Sequence, residues 1–265
     1  MFQYLYAQTA ILKERTDINT RYKTKEEMKE SFRLKETFVW ITADEKRYIE
    51  TAKEEIRQRR KELERFVRWH PYFLVTLETY QLDEPEIGSE RERTEIPEIV
   101  RRMTESTSKF GIGPMAAVAG TLAEFAVEAM RNAGATYAMV DNGGDIALLT
   151  DREVLAGIYA GESPFSNKIA LRIKPSSSLL GICTSSGTVG HSISFGIADA
   201  ATVISKSAAL SDAAATALGN AVTDAQSIPN AFRSINHVDG IEGALVIYKD
   251  ILATWGRIPE IVRTK

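Results

Sequence analysis

Residues 181–222 read GICTSSGTVGHSISFGIADAATVISKSAALSDAAATALGNAV, and the reading of this stretch decides the fold. Charged residues make up 26% of the chain, yet within residues 176–210 only Asp199 and Lys206 carry formal charge. Glycine, alanine and serine take their place, which lets backbone approach backbone or a ligand closely. A glycine- and hydroxyl-rich segment comes first, with Thr184, Ser185, Ser186, Gly187, Thr188, Gly190 and His191, and it predicts a loop. The apolar run 201–205 predicts a strand, because its residues suit a pleated surface. Residues 211–222 predict an Ala-rich helix on which Asp212, Thr216 and Asn220, spaced i, i+4, i+8, share one face. The other faces offer mostly alanine and leucine, so this helix belongs deep in the fold.

Two readings of these residues stand side by side. In one, backbone N–H groups and hydroxyls of the Gly-rich turn bind phosphate oxygens. Asp and Thr oxygens one helical turn apart then share a Mg2+, an ion that keeps several waters and rarely takes a full protein cage. In the other, Ser211 or Asp212 is a helix N-cap, Thr216 a packed hydroxyl and the glycines a tight turn.

Working outward, residues 7–13, 18–24 and 37–43 have strand-like spacing of apolar and polar residues. Asp44 serves as N-cap of a helix reaching Arg68, with Tyr48, Ala52, Ile56, Leu63, Phe66 and Val67 as a broken apolar stripe. Its arginines alternate with glutamates, the pattern of a solvated face. Residues 73–82 predict a strand, 83–97 a polar surface loop and internal boundary, and 97–107 a helix with Pro97 at its start. Gly111, Gly113 and Pro114 break the chain before a helix over 116–132, whose N-terminus is a second candidate anion site against a simple packing turn. Strands follow at 137–141, 154–160 and 168–173, with a loop at 175–178. Asn142, Gly143, Gly144 and Asp145 read locally as a hairpin turn. A short helix after Asp224, an exposed His237, and a hairpin of 244–248 with 251–255 about Lys249 and Asp250 complete the chain. Strands flank the helices without regular alternation, so the class is α+β, with mixed or antiparallel sheets packed around the central Ala-rich helix.

The chain has 265 residues, with 33 Lys plus Arg against 36 Asp plus Glu and a formal charge of −3. That balance leaves no electrostatic footprint for nucleic acid. Cys183 is the one cysteine, which rules out an internal disulfide and fits a reducing compartment. Free cysteine is commonly a small buried apolar residue, although a thiol beside this loop could also act as a nucleophile. The start MFQYLYAQTAILKERTD lacks a basic end followed by a long apolar run, and no stretch approaches the ~20 apolar residues of a membrane helix. A cytoplasmic protein with no membrane partner is expected.

Three motifs, NGGDI at 142–146, TSSG at 184–187 and SDAAATAL at 211–218, resemble motifs of the ApbE superfamily. GPMAAVAG at 113–120 together with GHSISFGIAD is similar to an uncharacterised prokaryotic branch of ApbE-like proteins. The best-known members of the superfamily are Mg2+-dependent enzymes that take FMN from FAD and attach it to a threonine of a partner protein. The resemblance implies a single ApbE-like α+β domain over 1–265. It implies metal ligation by Asp212 and Thr216, and ligand binding by Asn142, Gly143, Gly144, Asp145, Thr184, Ser185, Ser186 and Gly187. His191 and Asp212 are the catalytic candidates, FAD or FMN and Mg2+ the cofactors, and a phosphate-bearing small molecule and an acceptor protein the partners. HSISFGIAD stands where flavin transferases carry a longer His-Ile-Ile-Asp-Pro-x-Thr-Gly segment, and their N-terminal Met-Gly-Thr motif is missing. Resemblance to the branch also implies an alternative, an assisting component of sulfide assimilation into homocysteine, with Cys183 as the sulfur-reactive group. A third reading is a non-catalytic homo-oligomer whose Ala-rich helices meet at a subunit interface.

Overall fold

Side-chain alternation along the strands sets the architecture of the computed structural model, which describes residues 27–82, 96–188 and 195–264. The strands expected at 7–13 and 18–24, the segment 83–95 and His191 lie outside the described residues. Eight strands form one antiparallel sheet in the order β1 (Met28–Leu34), β2 (Thr37–Ala43), β3 (Ala138–Asn142), β4 (Asp145–Thr150), β7 (Ser176–Ser185), β8 (Ala200–Ser205), β9 (Ile241–Tyr248), β10 (Ile251–Gly256). A three-stranded antiparallel sheet has the order β11 (Glu260–Arg263), β6 (Ile169–Ile173), β5 (Val154–Gly157).

The period of two divides the large sheet into two cores. Val140, Ala147, Ala201, Val203 and Val246 turn to one face, where they meet the helices α1 (Lys46–Trp69), α4 (Val118–Asn132) and α5 (Ala208–Asn220). Met139, Ile146, Leu148, Ile204 and Ile247 turn to the other, where the small sheet covers them with Val154, Leu171 and Ile173. Both faces of the central strands are therefore buried, which explains why β8 reads as a continuous buried run. This is the α+β class that the sequence predicts.

Helix α5 is the innermost helix. A Cβ on Gly181 of β7 would lie 2.5 Å from the Cα of Ala208, and one on Gly120 of α4 would lie 2.4 Å from the Ala208 carbonyl oxygen. Those are backbone-to-backbone approaches, so the small residues are required by packing inside this one chain. The Ala-rich surface is covered by α4 and by the sheet, rather than left open for a second subunit.

Several elements differ from the sequence expectation. Residues 73–82 do not form a strand: Pro71 starts a short helix α2 (Pro71–Val75), and the chain then runs extended, with a lone bridge between Glu78 and Ile112. Phe73 is buried against Phe66 and Tyr80, while Leu74, Val75 and Leu77 stay exposed, so the apolar run there has no sheet face behind it. Pro114–Ala117 is a 3-10 turn and α4 begins only at Val118. Residues 176–178 belong to β7. Glu45 occupies the N-cap of α1, while Asp44 pairs with Arg152 at 2.9 Å. Helix α5 starts a turn early and is capped by Ser207, whose side chain accepts from the Leu210 N–H. Neither Ser211 nor Asp212 is the cap.

Candidate functional site

The β3–β4 turn is the first component. Asn142 pairs with Asp145, leaving Gly143 and Gly144 as a two-residue loop with φ of +71° and +106°. A tight hairpin needs positive φ at both positions, which glycine adopts without strain. The Gly144 N–H donates to Asp141 Oδ1 at 2.9 Å and closes the turn. Asn142 Nδ2 donates to the Ala119 carbonyl at 3.1 Å, tying the turn to the first residues of α4.

Strand β7 supplies the next edge. Thr184 and Ser185 are its last residues, so the hydroxyl-rich segment begins in a strand where the sequence predicts a loop. The Thr184 N–H donates to Asp145 Oδ1 at 3.3 Å, and its hydroxyl pairs with Thr202 at 2.8 Å. Ser185 lies against Gly219 of α5. Beyond it Gly187 meets a backbone rather than a cradle: its N–H donates to the Ala198 carbonyl at 2.8 Å, and a Cβ there would lie 2.0 Å from the Gly196 oxygen. Ser186 and Thr188 hydrogen-bond each other, and Thr188 donates to Asp199, which also accepts the Lys249 N–H. Asp199 is thus a tie between two turns.

Asp212 arrives from α5. It is 8% exposed, and its Oδ2 accepts the Gly120 N–H at 2.8 Å. The Ala119 N–H supports the same carboxylate. The N–H groups at the start of α4 therefore already hold a carboxyl group, and that group is the protein's own. Thr216 follows one turn later, half-buried, and Asn220 accepts the Phe195 N–H at 2.9 Å.

The electrostatics set this site apart. Burial first, and then the charge of Asp145, push the Asp212 carboxyl well above the usual aspartate range, against the two N–H donors. Burial likewise raises Asp145, opposed by the Thr184 N–H and reinforced by Asp141. Asp145 keeps some surface in solvent while its carboxylate is enclosed. Asp141 is pushed up to about 6, mainly by burial. Cys183 is fully buried, donates to the Ala208 carbonyl at 3.3 Å, and is raised by burial and then by Asp145, Asp212 and Glu124. A thiol so placed stays protonated, whereas sulfur chemistry uses the thiolate. Among the described residues neither Asp145 nor Asp212 has a lysine or arginine partner within 4.0 Å.

Glu124, absent from the sequence reading, fixes the aim of α5. One of its oxygens accepts from Ser207 Oγ at 2.8 Å and from the Ala209 N–H at 2.9 Å, and the other accepts from Arg102 at 2.9 Å. It sits one turn after Gly120, so α4 grips α5 at its N-terminus and again at Asp212. A single glutamate inside the otherwise small and apolar VAGTLAEFAV was the available signal. A cavity of about 550 Å3 opens beside Asn142 and Ala119, walled on its far side by α1.

The structure thus brings Asn142, Gly143, Gly144, Asp145, Thr184 and Asp212 together at one end of the sheet, with Ser185 against α5 at Gly219 and Thr216 one turn after Asp212 on the same helix. Ser186 and Gly187 belong to the neighbouring loop tie. No helix among the described residues is long and apolar enough to cross a membrane.

Comparison with known proteins shows the family and the fold. A UPF0280 protein of Methanosarcina acetivorans is 51% identical over 239 residues, 90% of each chain. One of Methanosarcina barkeri is 50% identical over 237 residues, 89% of each. The crystal structure of Pseudomonas stutzeri flavinyl transferase ApbE, apo form, matches with a TM-score of 0.51 and 12% identity, over 86% of this chain and 94% of that one, a likeness of fold. The family described as AbpE bacteria matches residues 21–235. The chain belongs to that family, a branch of the ApbE-like superfamily.

Proposed function

We propose that this protein binds a flavin nucleotide through a Mg2+ ion held by Asp145, Asp212 and Thr216, as a site for FMN-transferase-like chemistry. One observation carries the reading. Two enclosed carboxylates from separate elements face each other's charge, with backbone N–H groups as partners and no basic side chain among the described residues. Burying uncompensated charge of one sign is strongly unfavourable unless a cation completes it or the carboxyl takes up a proton, as the raised Asp145 and Asp212 do in the absence of metal. The donors are hard oxygens, two of them carboxylates, which suits Mg2+ and leaves its other positions to water and phosphate. Bound there, Mg2+ would neutralise phosphate charge and polarise a phosphoryl oxygen. Asn142 and the Gly-Gly turn border the ligand, and Thr184 sets the orientation of Asp145 through its N–H. The fold shared with a flavinyl transferase agrees with this reading.

The test is calorimetric titration of FAD into the wild type and Asp212→Ala, with and without Mg2+. Binding by the wild type should require the metal. Asp212→Ala should weaken it by at least tenfold, the scale of one charged contact at ~1.5–3 kcal/mol. Absence of FAD binding under every condition overturns the proposal.

A further inference from the structure

We infer that the corner where α1 ends and α2 begins docks on an anionic membrane surface. Trp69, Tyr72, Leu74, Val75 and Leu77 enter the headgroup layer, and Lys61, Arg65 and Arg68 meet the lipid phosphates. The metal site proposed above uses none of these residues. Nine large apolar side chains among the described residues are exposed, and five of them fall within residues 69–77. Each of the five keeps more than half of its surface in solvent. A concentration of apolar surface of that kind marks a partner, whereas scattered single residues do not.

The corner is held from beneath by stacked rings. Phe66 stacks on His70 with ring centroids 4.2 Å apart, and the buried Phe73 meets Phe66 and Tyr80 edge-on at 5.2 and 5.0 Å. The His70 N–H donates to the Phe66 carbonyl and closes α1, and Pro71 starts α2 at once. Phe73 is the one residue of α2 that turns inward, so Tyr72, Leu74 and Val75 are left outside.

Charge decides which partner fits. Lys61, Arg65 and Arg68 stand at i, i+4 and i+7 on α1, all exposed, so they share a face that runs up to Trp69. The acids among them are engaged elsewhere: Glu62 pairs with Arg59, and Glu64 with Arg60 and Lys35. Among the described residues no carboxylate pairs with Lys61, Arg65 or Arg68. Tryptophan and tyrosine beside a row of basic residues is the make-up of surfaces that lie in the lipid headgroup layer. An anionic surface attracts each cation, and the apolar tip gains by leaving water. A second copy of this chain fits poorly, because a two-fold contact would bring the two rows of cations together. Surface binding needs no spanning segment, so the lack of one, on which the expectation of no membrane partner rests, does not bear on it.

Sedimentation of the full chain with phospholipid vesicles tests this. Wild type should bind vesicles of phosphatidylglycerol mixed with phosphatidylcholine, and bind far less to phosphatidylcholine alone. The difference should fade as salt screens the attraction. Arg65→Gln combined with Arg68→Gln should weaken binding to the anionic vesicles at least about tenfold. Val75→Glu, which places charge in the apolar tip, should abolish it, with circular dichroism confirming that both variants fold. Trp69→Phe should still bind but lose the blue shift of tryptophan emission that the vesicles cause in wild type. Wild-type affinity in both folded variants, or equal affinity for the two kinds of vesicle, would overturn the inference. No binding to either vesicle would overturn it too and leave the corner to a protein partner. A dimer in solution that Val75→Glu dissolves would assign the corner to a second copy, against the inference.

Discussion

Helices α1 and α5 lie against the same face of the same sheet, yet they handle carboxylates in opposite ways. On α1, Glu54, Glu55, Glu62 and Glu64 each meet an arginine or lysine within 3.2 Å, and the pairs sit in or near solvent. On α5, Asp212 is buried, has backbone N–H donors, and faces a second enclosed carboxylate. Carboxylate charge on the first helix is balanced by basic side chains of the chain itself, one turn away on α1 or in the β1–β2 turn. Charge on the second has no basic side-chain partner among the described residues, at a point where the backbones of α4 and α5 approach closely. The contrast is one of compensation: acidic residues abound on α1, but the proposed metal site lies where two carboxylates, Asp145 and Asp212, have no basic side-chain partner among the described residues.

The strongest way to break this contrast is to push α4 and α5 apart. A Cβ at Gly120 would lie 2.4 Å from the Ala208 oxygen and 2.7 Å from the Asp212 Cβ, and neither neighbour can move without shifting α5. Gly120→Ala should destabilise by about 3 kcal/mol or more, at the upper end for overpacked cores. It should also weaken Mg2+ binding, because the Gly120 N–H orients Asp212. A denaturant melt with the loss expected of an ordinary surface change would show that the seam yields and that its geometry is not critical.

A gentler variant sharpens the comparison through pH. The carboxyls of Asp145 and Asp212 are raised in the fold, so they favour the folded state most when protonated. Their contribution is fully present below the ordinary aspartate range and is lost as pH rises through the raised values. Asp145→Asn removes one charge while keeping the shape. In metal-free buffer at pH 8 its Tm should exceed that of wild type by on the order of 2–4 °C, and the advantage should shrink towards pH 5. Added Mg2+ should raise the Tm of the wild type and leave the variant nearly unchanged. An Asp145→Asn melting curve that tracks wild type at every pH would mean the pair is solvated after all.

The sequence showed the parts whose cause is local. Gly143 and Gly144 mark a turn because both positions need positive φ, and Lys249 with Asp250 mark the β9–β10 turn. The spacing of Asp212 and Thr216 put both on one helix. Of the residues in the ApbE-like motifs, the Asn142–Asp145 turn and Thr184 lie at the same end of the sheet as Asp212, while Ser186 and Gly187 belong to the loop tied to Ala198 and Asp199. What stayed hidden depends on distant partners. Asp212 is held by an N–H 92 residues away, and Glu124 holds the N-terminus of α5 from 85 residues away. No periodicity encodes such pairings. The apolar run after Pro71 read as a strand because its composition suits one, while the deciding contact, Phe73 against Phe66 and Tyr80, is again tertiary. The cavity escaped for the same reason: Leu63 and Val67 of its α1 face stood in the apolar stripe, but Arg60 and Glu64 read as a solvated face, and only the fold sets Met115 and Leu122 across from them.

The smallest expected effect tests the other side of the contrast. Glu54 and Arg57 pair at 3.1 Å one turn apart on α1, with the glutamate 73% exposed. Water already solvates both groups well, and fixing two long side chains offsets much of their attraction. Glu54→Ala should change stability by less than about 0.5 kcal/mol, and the difference should vanish at high salt as screening removes the Coulomb attraction. It should leave FAD binding unaltered, since Glu54 pairs with Arg57 on the surface of α1 and has no hydrogen bond to the Asp145 and Asp212 site. A loss comparable to that of Gly120→Ala would mean that the charge ladder of α1 is a structural requirement of the fold. The distinction between compensated and uncompensated carboxylates would then no longer separate the solvated helix from the site.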